Sequence, residues 1–132
     1  MNVTRGKVLL VEDELPLLQL LERYLQRMGF EVKTFSSSVR ALSEFEAALG
    51  RYDLVIADLG MPEISGDKML TRMLDIQPDL LILICSGSPF YVSNLPEALE
   101  QRVGFLQKPF LPKMLAEAIE KLMAKKDLGH VS

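Results

Sequence analysis

The sequence predicts a doubly wound α/β sandwich of three layers, a five-stranded parallel sheet covered by helices on both faces. Three observations lead there. Five short runs rich in Val, Ile and Leu alternate with longer stretches of helical period within 132 residues. The runs are almost continuously apolar, the pattern of strands buried on both faces, whereas a sheet with one wet face would alternate. With 48% hydrophobic and 25% charged residues the chain has the composition of one globular domain, so the runs are expected to share one sheet.

The expected strands are Lys7 to Val11, Glu31 to Phe35, Leu54 to Asp58, Leu80 to Cys85 and Val103 to Gln107, each too short for a helix. After the first, Leu17, Leu18, Leu21, Tyr24, Leu25 and Met28 fall on one helical face, and Gly29 stops the helix because it accepts the left-handed conformation. The second helix, from about Val39 to Leu49, is entered through Ser36, Ser37 and Ser38, whose hydroxyls suit its free amides, and is left through Gly50. Met69, Leu70, Met73 and Leu74 mark the third, before Pro78. A fourth, short helix is expected near Asn94, with Pro96 in its first turn. The fifth sets Leu111, Leu115, Ala118, Ile119 and Leu122 on one stripe, with Met114 and Met123 beside it. Leucine and methionine at this spacing are read as core, not as cofactor contacts.

The whole chain, 1–132, reads as one domain with its core over about 6–125 and a flexible polar tail over 126–132. The only histidine, His130, lies in that tail without a following helix to present it, so it is read as tail and not as a phosphoryl carrier. Cys85, the single cysteine, closes the run LLILIC and is expected to pack as a small hydrophobe. Net charge is −3, with basic residues scattered apart from Lys125 and Lys126, which argues against direct nucleic-acid binding. No apolar run approaches the roughly 18 residues of a membrane span, and MNVTRGK lacks the apolar middle of a signal peptide, so a cytoplasmic location is expected.

For five alternations in this length the commonest small solution is the flavodoxin-like strand order 2-1-3-4-5. Ligands then bind beyond the carboxyl ends of the strands, at the switch point between strands one and three. Strand one runs into Glu12, Asp13 and Glu14, strand three ends in Asp58, strand four is followed by Ser86 and strand five by Lys108. Carboxylates crowded on one rim raise one another's proton affinities and weaken the fold unless a cation sits among them. Mg²⁺ is the natural candidate, with Ca²⁺ an alternative in the test tube: hard oxygen ligands suit it, and it takes one or two carboxylates, keeps several waters and binds a phosphate. The sequence contains neither the usual EF-hand loop nor a Cys/His cluster for zinc.

A phosphoryl group in transfer spreads negative charge over three equatorial oxygens, and the remaining rim residues match that need. The metal takes one oxygen, the Lys108 ammonium a second, and the Ser86 hydroxyl with nearby backbone amides a third. A carboxylate serves as nucleophile in aspartyl-phosphate chemistry, and Asp58, between LVIA and the turn Leu59–Gly60–Met61–Pro62, is the best-placed candidate. The backbone carbonyl of Gly60 is expected to face the metal. A cis Lys108–Pro109 bond, accessible at modest cost, turns the chain sharply after strand five and aims Lys108 into the cleft. Taken singly, Asp58 fits a helix cap, Lys108 a solvated strand end and Ser86 a turn residue. Their joint placement at successive strand ends favours the shared chemistry.

VLLVEDE, DLVIADLGMPEISGD, LLILICSG and GFLQKPF, in that order and spacing, resemble the receiver domain of two-component response regulators over nearly the whole chain. The resemblance implies an acidic pair at Glu12 and Asp13, a phosphoacceptor at Asp58, a metal-facing carbonyl at Gly60, a switch hydroxyl at Ser86, a phosphate-binding Lys108 and a switch aromatic at Phe105. It also implies Mg²⁺ as cofactor and a histidine kinase or histidine phosphotransfer protein as phosphoryl source. The output partner stays open, and a phosphorylation-dependent homodimer is within the range of the family. Such a protein is a switch with some self-dephosphorylation, not a turnover enzyme.

Three positions depart from the commonest family pattern. Glu12 stands for the frequent Asp, Ser86 for Thr, and Phe105 for Tyr, which removes a ring hydroxyl. Gly60 and Ser88, two residues beyond the acceptor and the switch hydroxyl, are small and imply little shielding of the phosphoryl group from water. In the expected switch Ser86 moves inward and vacates space into which Phe105 rotates, changing the surface formed by the helix near Asn94, strand five and the last helix. Phe90 and Tyr91 either join that surface or pack over strand four. DLGMPEISGDKML and ICSGSP are most similar to receivers attached to hybrid sensor kinases. No output segment follows the last helix, so the chain reads as a stand-alone receiver or one excised from a larger protein.

Three rivals share the fold. A flavin electron carrier would have VEDE repelling the flavin phosphate. An aspartyl phosphatase would want a general acid close to Asp58, which the next two positions do not supply. The rival hardest to set aside is a binding module independent of phosphorylation that retains the fold, against which the full set of rim residues counts.

Overall fold

Each central strand divides its side chains between two buried layers. In β1 (Lys7–Val11), Leu9 and Val11 join one core while Val8 and Leu10 join the other. The same division recurs in β3 (Leu54–Ala57), with Val55 and Ala57 against Leu54 and Ile56, and in β4 (Leu81–Ser86), with Ile82 and Ile84 against Leu81, Leu83 and Cys85. Strands wetted on neither face leave no room for polar alternation, which is why their sequences are continuous apolar runs. The structure, a computed structural model, describes residues 4–49, 51–87 and 102–129.

The strands pair in parallel in the order β2-β1-β3-β4-β5, with β2 at Glu31–Phe35 and β5 at Val103–Gln107. One face packs on α1 (Leu15–Arg27) and α4 (Pro112–Gly129) through Leu18, Leu21, Leu25, Leu115, Ile119 and Leu122. The opposite face packs on α2 (Ser38–Ala48) and α3 (Gly66–Ile76) through Ala41, Phe45, Met69 and Met73. Five strands in order 2-1-3-4-5 between two helical layers are the fold that the sequence predicts. The fourth of the five expected helices, near Asn94, lies outside the described residues, as do Ser88, Phe90, Tyr91 and His130.

The boundaries differ in four places, each for a local reason. Strand four begins at Leu81 and not Leu80, because the Leu80 N–H closes a turn onto the Gln77 carbonyl; at the other end Ser86 joins the ladder opposite Gln107. Strand three stops at Ala57, one residue short of Asp58. The left-handed residue that ends α2 is Leu49, with φ of 50°, one position before Gly50. Leu111, expected on the apolar stripe of the last helix, is 66% exposed and precedes the helix, since Pro112 fits a first turn and starts it one residue later. Met114 is likewise exposed. Gly29 does end α1 as expected, with φ of 99°.

Candidate functional site

Parallel pairing fixes the site, because it brings the carboxyl ends of β1, β3 and β5 to one side of the sheet. Val11, the last residue of β1, is in register with Ala57, the last of β3, so Glu12 and Asp58 leave adjacent strands at the same height. The Asp58 N–H continues the ladder to the Val11 carbonyl at 3.3 Å. From the far side, Lys108 follows β5, and its N–H donates to the carbonyl of Ser86 at the end of β4 at 2.8 Å. The Lys108–Pro109 bond is cis.

Four of the expected residues meet. Glu12, Asp13 and Asp58 offer carboxylate oxygens that all lie within 4.8 Å of one another. Lys108 Nζ donates to Glu12 Oε1 at 2.5 Å and to Asp58 Oδ2 at 2.9 Å, and stands 4.0 Å from Glu14 Oε1. The side chains of Lys108, Glu12 and Asp58 are only 14%, 2% and 13% exposed, so these are ion pairs largely withdrawn from water. Asp13 is exposed at the mouth. Sequence reasoning assigns the compensating positive charge to a metal; within the protein itself the Lys108 ammonium supplies part of it.

Charge and burial pull against each other here. Burial pushes the Glu12 carboxyl above its ordinary value and outweighs the hydrogen bonds from Lys108 and the Glu14 N–H, while repulsion from Asp58 adds least. The expectation that the carboxylates raise one another therefore gives way to desolvation as the main cause. Burial also works against the Lys108 charge, but the hydrogen bonds to Asp58 and Glu12 overcome it and hold its pKa above the usual lysine range. Next to Ser86, burial pushes the Cys85 thiol up to about 12, which leaves it an inert packing group.

The acceptor candidate has both carboxylate oxygens engaged, Oδ2 by Lys108 and Oδ1 by the Gly60 N–H at 2.9 Å. Ser86 is buried at the end of β4, and Phe105 is half-buried in β5 opposite Ile84, packed against the core on the α2 and α3 side. Three carboxylates, one of them already buried, form a hard-oxygen donor set that fits a divalent cation such as Mg²⁺.

Sequence alone makes Ser38 no more than one of three capping hydroxyls. The cap of α2 is Ser37, which accepts from the Arg40 N–H at 3.2 Å; Ser38 Oγ instead accepts from the Ile64 N–H at 3.0 Å, in the segment between Asp58 and α3. A third serine, Ser65, caps α3.

Residues 8–120 match the family described as the response regulator receiver domain. The chain is 36% identical over 122 residues to the sensor kinase CckA of Brucella abortus, a match that covers 91% of this chain but only 13% of that protein. Among solved structures, a response regulator receiver domain protein from Clostridium thermocellum superposes with a TM-score of 0.79 at 31% identity, covering 93% of this chain and 98% of the other. The response regulator TrrA of Thermotoga maritima, solved in complex with Mg²⁺ and BeF, gives a TM-score of 0.75 at 32% identity over 88% of this chain and 97% of its own.

Proposed function

The chain belongs to the response regulator receiver domain family, the phosphoacceptors of two-component signalling, and from that premise we propose that Asp58 is the residue that takes the phosphoryl group. Receiver domains are signalling switches, not turnover enzymes, and they bind Mg²⁺ at an acidic cluster. The observation that carries the assignment is the convergence of Glu12, Asp13 and Lys108 on Asp58.

In the proposed step an Asp58 carboxylate oxygen attacks the phosphorus of a phosphohistidine on a kinase or histidine phosphotransfer protein. A phosphorus–oxygen bond forms, the phosphorus–nitrogen bond breaks, and the imidazole leaves with its electron pair and takes up a proton. Lys108, held charged at neutral pH by its two carboxylate partners, is placed to follow the negative charge onto the phosphoryl oxygens. Glu12, Asp13, Asp58 and the Gly60 carbonyl are the proposed ligands of the divalent ion, which when bound offsets charge on the phosphoryl oxygens. With no side chain at Gly60 the acyl phosphate is left open to water, and self-dephosphorylation proceeds without great protection.

Phosphorylation of Asp58 puts roughly 1.5 to 2 negative charges on the phosphoryl group, by analogy with other phosphorylated side chains, where the carboxylate carried one. Ser86 turning its hydroxyl toward that charge, with Phe105 rotating into the space, is the proposed switch, and its readout is a changed surface for an output partner. A phosphorylation-dependent homodimer is one form that readout can take. No helix among the described residues is long and apolar enough to cross a membrane, and the cytoplasm is the proposed location.

The test is incubation with acetyl phosphate and Mg²⁺, comparing wild type with Asp58→Asn by intact mass. One phosphoryl adduct on the wild type and none on the variant is expected; equal uptake by both contradicts the assignment.

A further inference from the structure

We propose that Ser38 is a positioning residue for phosphoryl acceptance, holding through Ile64 the segment that carries Asp58 and Gly60; this rests on Asp58 being the acceptor. Ser38 is the first residue of α2 and is 0% exposed. A buried hydroxyl costs stability unless it is hydrogen-bonded, and on the inward face of this helix the following residues, Ala41 and Phe45, are apolar. Capping does not account for Ser38, because Ser37 fills that role. What does account for it is the Ile64 N–H, 26 positions along the chain, at 3.0 Å.

The segment from Asp58 to Ser65 leaves β3 and enters α3. At its start the Asp58 N–H reaches Val11 through a 3.3 Å bond, and in its middle Met61 is buried in the core. At its far end the Ile64 N–H rests on Ser38, and Ser65 caps α3 through the Lys68 N–H at 3.4 Å. Within the segment the Gly60 N–H grips Asp58 Oδ1 at 2.9 Å. The orientation of the acceptor carboxylate therefore depends on where Gly60 sits, and Gly60 sits between an anchor on β1 and an anchor on α2. Helix α2 supplies none of the rim carboxylates. Its contribution is to fix the loop.

Without the Ser38 hydroxyl, the half-buried Ile64 N–H loses its acceptor, and the segment must shift to find water or another carbonyl. Displacements of about an ångström at the reacting atoms are enough to slow a positioned reaction. The loss is expected in metal affinity as well as in uptake, since both use the same loop.

The experiment compares wild type, Ser38→Ala, Ser38→Cys and Ile82→Val, the last a core control inside the sheet, on β4 in register with Val55 and Val103. Three quantities are read: the rate of phosphoryl uptake from acetyl phosphate, the Mg²⁺ dissociation constant by calorimetry, and hydrogen exchange at the Ile64 amide. Ser38→Ala is expected to slow uptake and weaken Mg²⁺ binding by about three- to tenfold each, the worth of one net hydrogen bond, with loss of protection at Ile64. Ser38→Cys, whose sulfur is a weaker acceptor, should fall between, and it carries the comparison should the alanine variant fail to fold. Ile82→Val should lower Tm with uptake and Mg²⁺ affinity unchanged. Ser38 variants that lower Tm but alter uptake and Mg²⁺ affinity no more than Ile82→Val overturn the positioning role while leaving Asp58 as acceptor. A wild type that takes up no phosphoryl group overturns both.

Discussion

Replacing Lys108 with methionine keeps most of the aliphatic stem and removes the ammonium that bonds Glu12 and Asp58. Its Nζ lies 2.5 Å from one carboxylate and 2.9 Å from the other, with all three side chains at or below 14% exposure. At an effective dielectric of about 20 an ion pair at 4 Å is worth about 4 kcal/mol before desolvation. Removing one partner of a buried pair costs about 3–5 kcal/mol, because the remaining charge is stranded. Here Glu12 can take up a proton, having already a carboxyl that burial holds above its ordinary value of 4.5, and this limits the loss. The variant should therefore be less stable by about 2–4 kcal/mol at neutral pH in the presence of a chelator. Mg²⁺ should raise its Tm more than that of the wild type, in which Lys108 competes for the same oxygens. The pH dependence has a definite sign. The folded state binds the Lys108 proton more tightly than the unfolded chain, so the stabilisation is complete below the ordinary value of 10.5 and fades as pH rises through the higher folded value. Urea titrations followed by far-ultraviolet circular dichroism, with EDTA and with Mg²⁺, measure all of this. A variant within about 0.5 kcal/mol of wild type, the usual range of an ordinary surface change, with no larger response to Mg²⁺, would show that the Lys108 ion pairs do not hold this rim together.

Two further predictions concern other parts of the molecule, and a third the divalent ion at the rim. Gly6 has φ of 143°, and a Cβ added there would stand 2.9 Å from Asp53 Oδ2, which already accepts from the Lys7 N–H, so Gly6→Ala should cost about 1–3 kcal/mol in a denaturant titration. Tyr52→Phe removes the hydrogen bond that, with Lys33, holds the Glu44 carboxyl below its ordinary value of 4.5. A depressed carboxylate stabilises above that value and loses its contribution as pH falls through the folded one, so the deficit of the variant, about 1 kcal/mol at pH 7, should narrow in acid; a deficit that widens in acid contradicts it. Chelation of divalent ions by EDTA should reduce phosphoryl uptake from acetyl phosphate at least tenfold, the order of one lost charge-offsetting contact, read by intact mass against time.

The strands are legible because burial on both faces writes itself into sequence as unbroken runs such as LVIA and LILIC. Once the strand order follows from those runs, Glu12, Asp13, Asp58 and Lys108 can be placed on one rim without knowing any distance. What cannot be read depends on geometry within a turn. Ser36, Ser37 and Ser38 are chemically equivalent in sequence, and only the extended backbone of Ser37 decides that it caps while Ser38 points into the protein. Leu111 extends the spacing of an apolar stripe, yet the helix starts after it. That Lys108 satisfies Glu12 as well as Asp58 is also hidden, since it depends on how far two long side chains reach. The clasp in which Arg5 pairs with Glu120 and lies over the Phe30 ring joins residues too far apart in sequence for any local pattern to signal.

Locating the acyl phosphate itself decides whether Asp58 is the acceptor. Wild-type protein treated with acetyl phosphate and Mg²⁺, then reduced with borohydride, converts an aspartyl phosphate to homoserine, which peptide mass spectrometry assigns to a position. Homoserine at position 58 alone, absent when Mg²⁺ is chelated, is the predicted result. Homoserine at another aspartate, the corresponding alcohol at a glutamate, or a phosphoryl group stable to borohydride contradicts it.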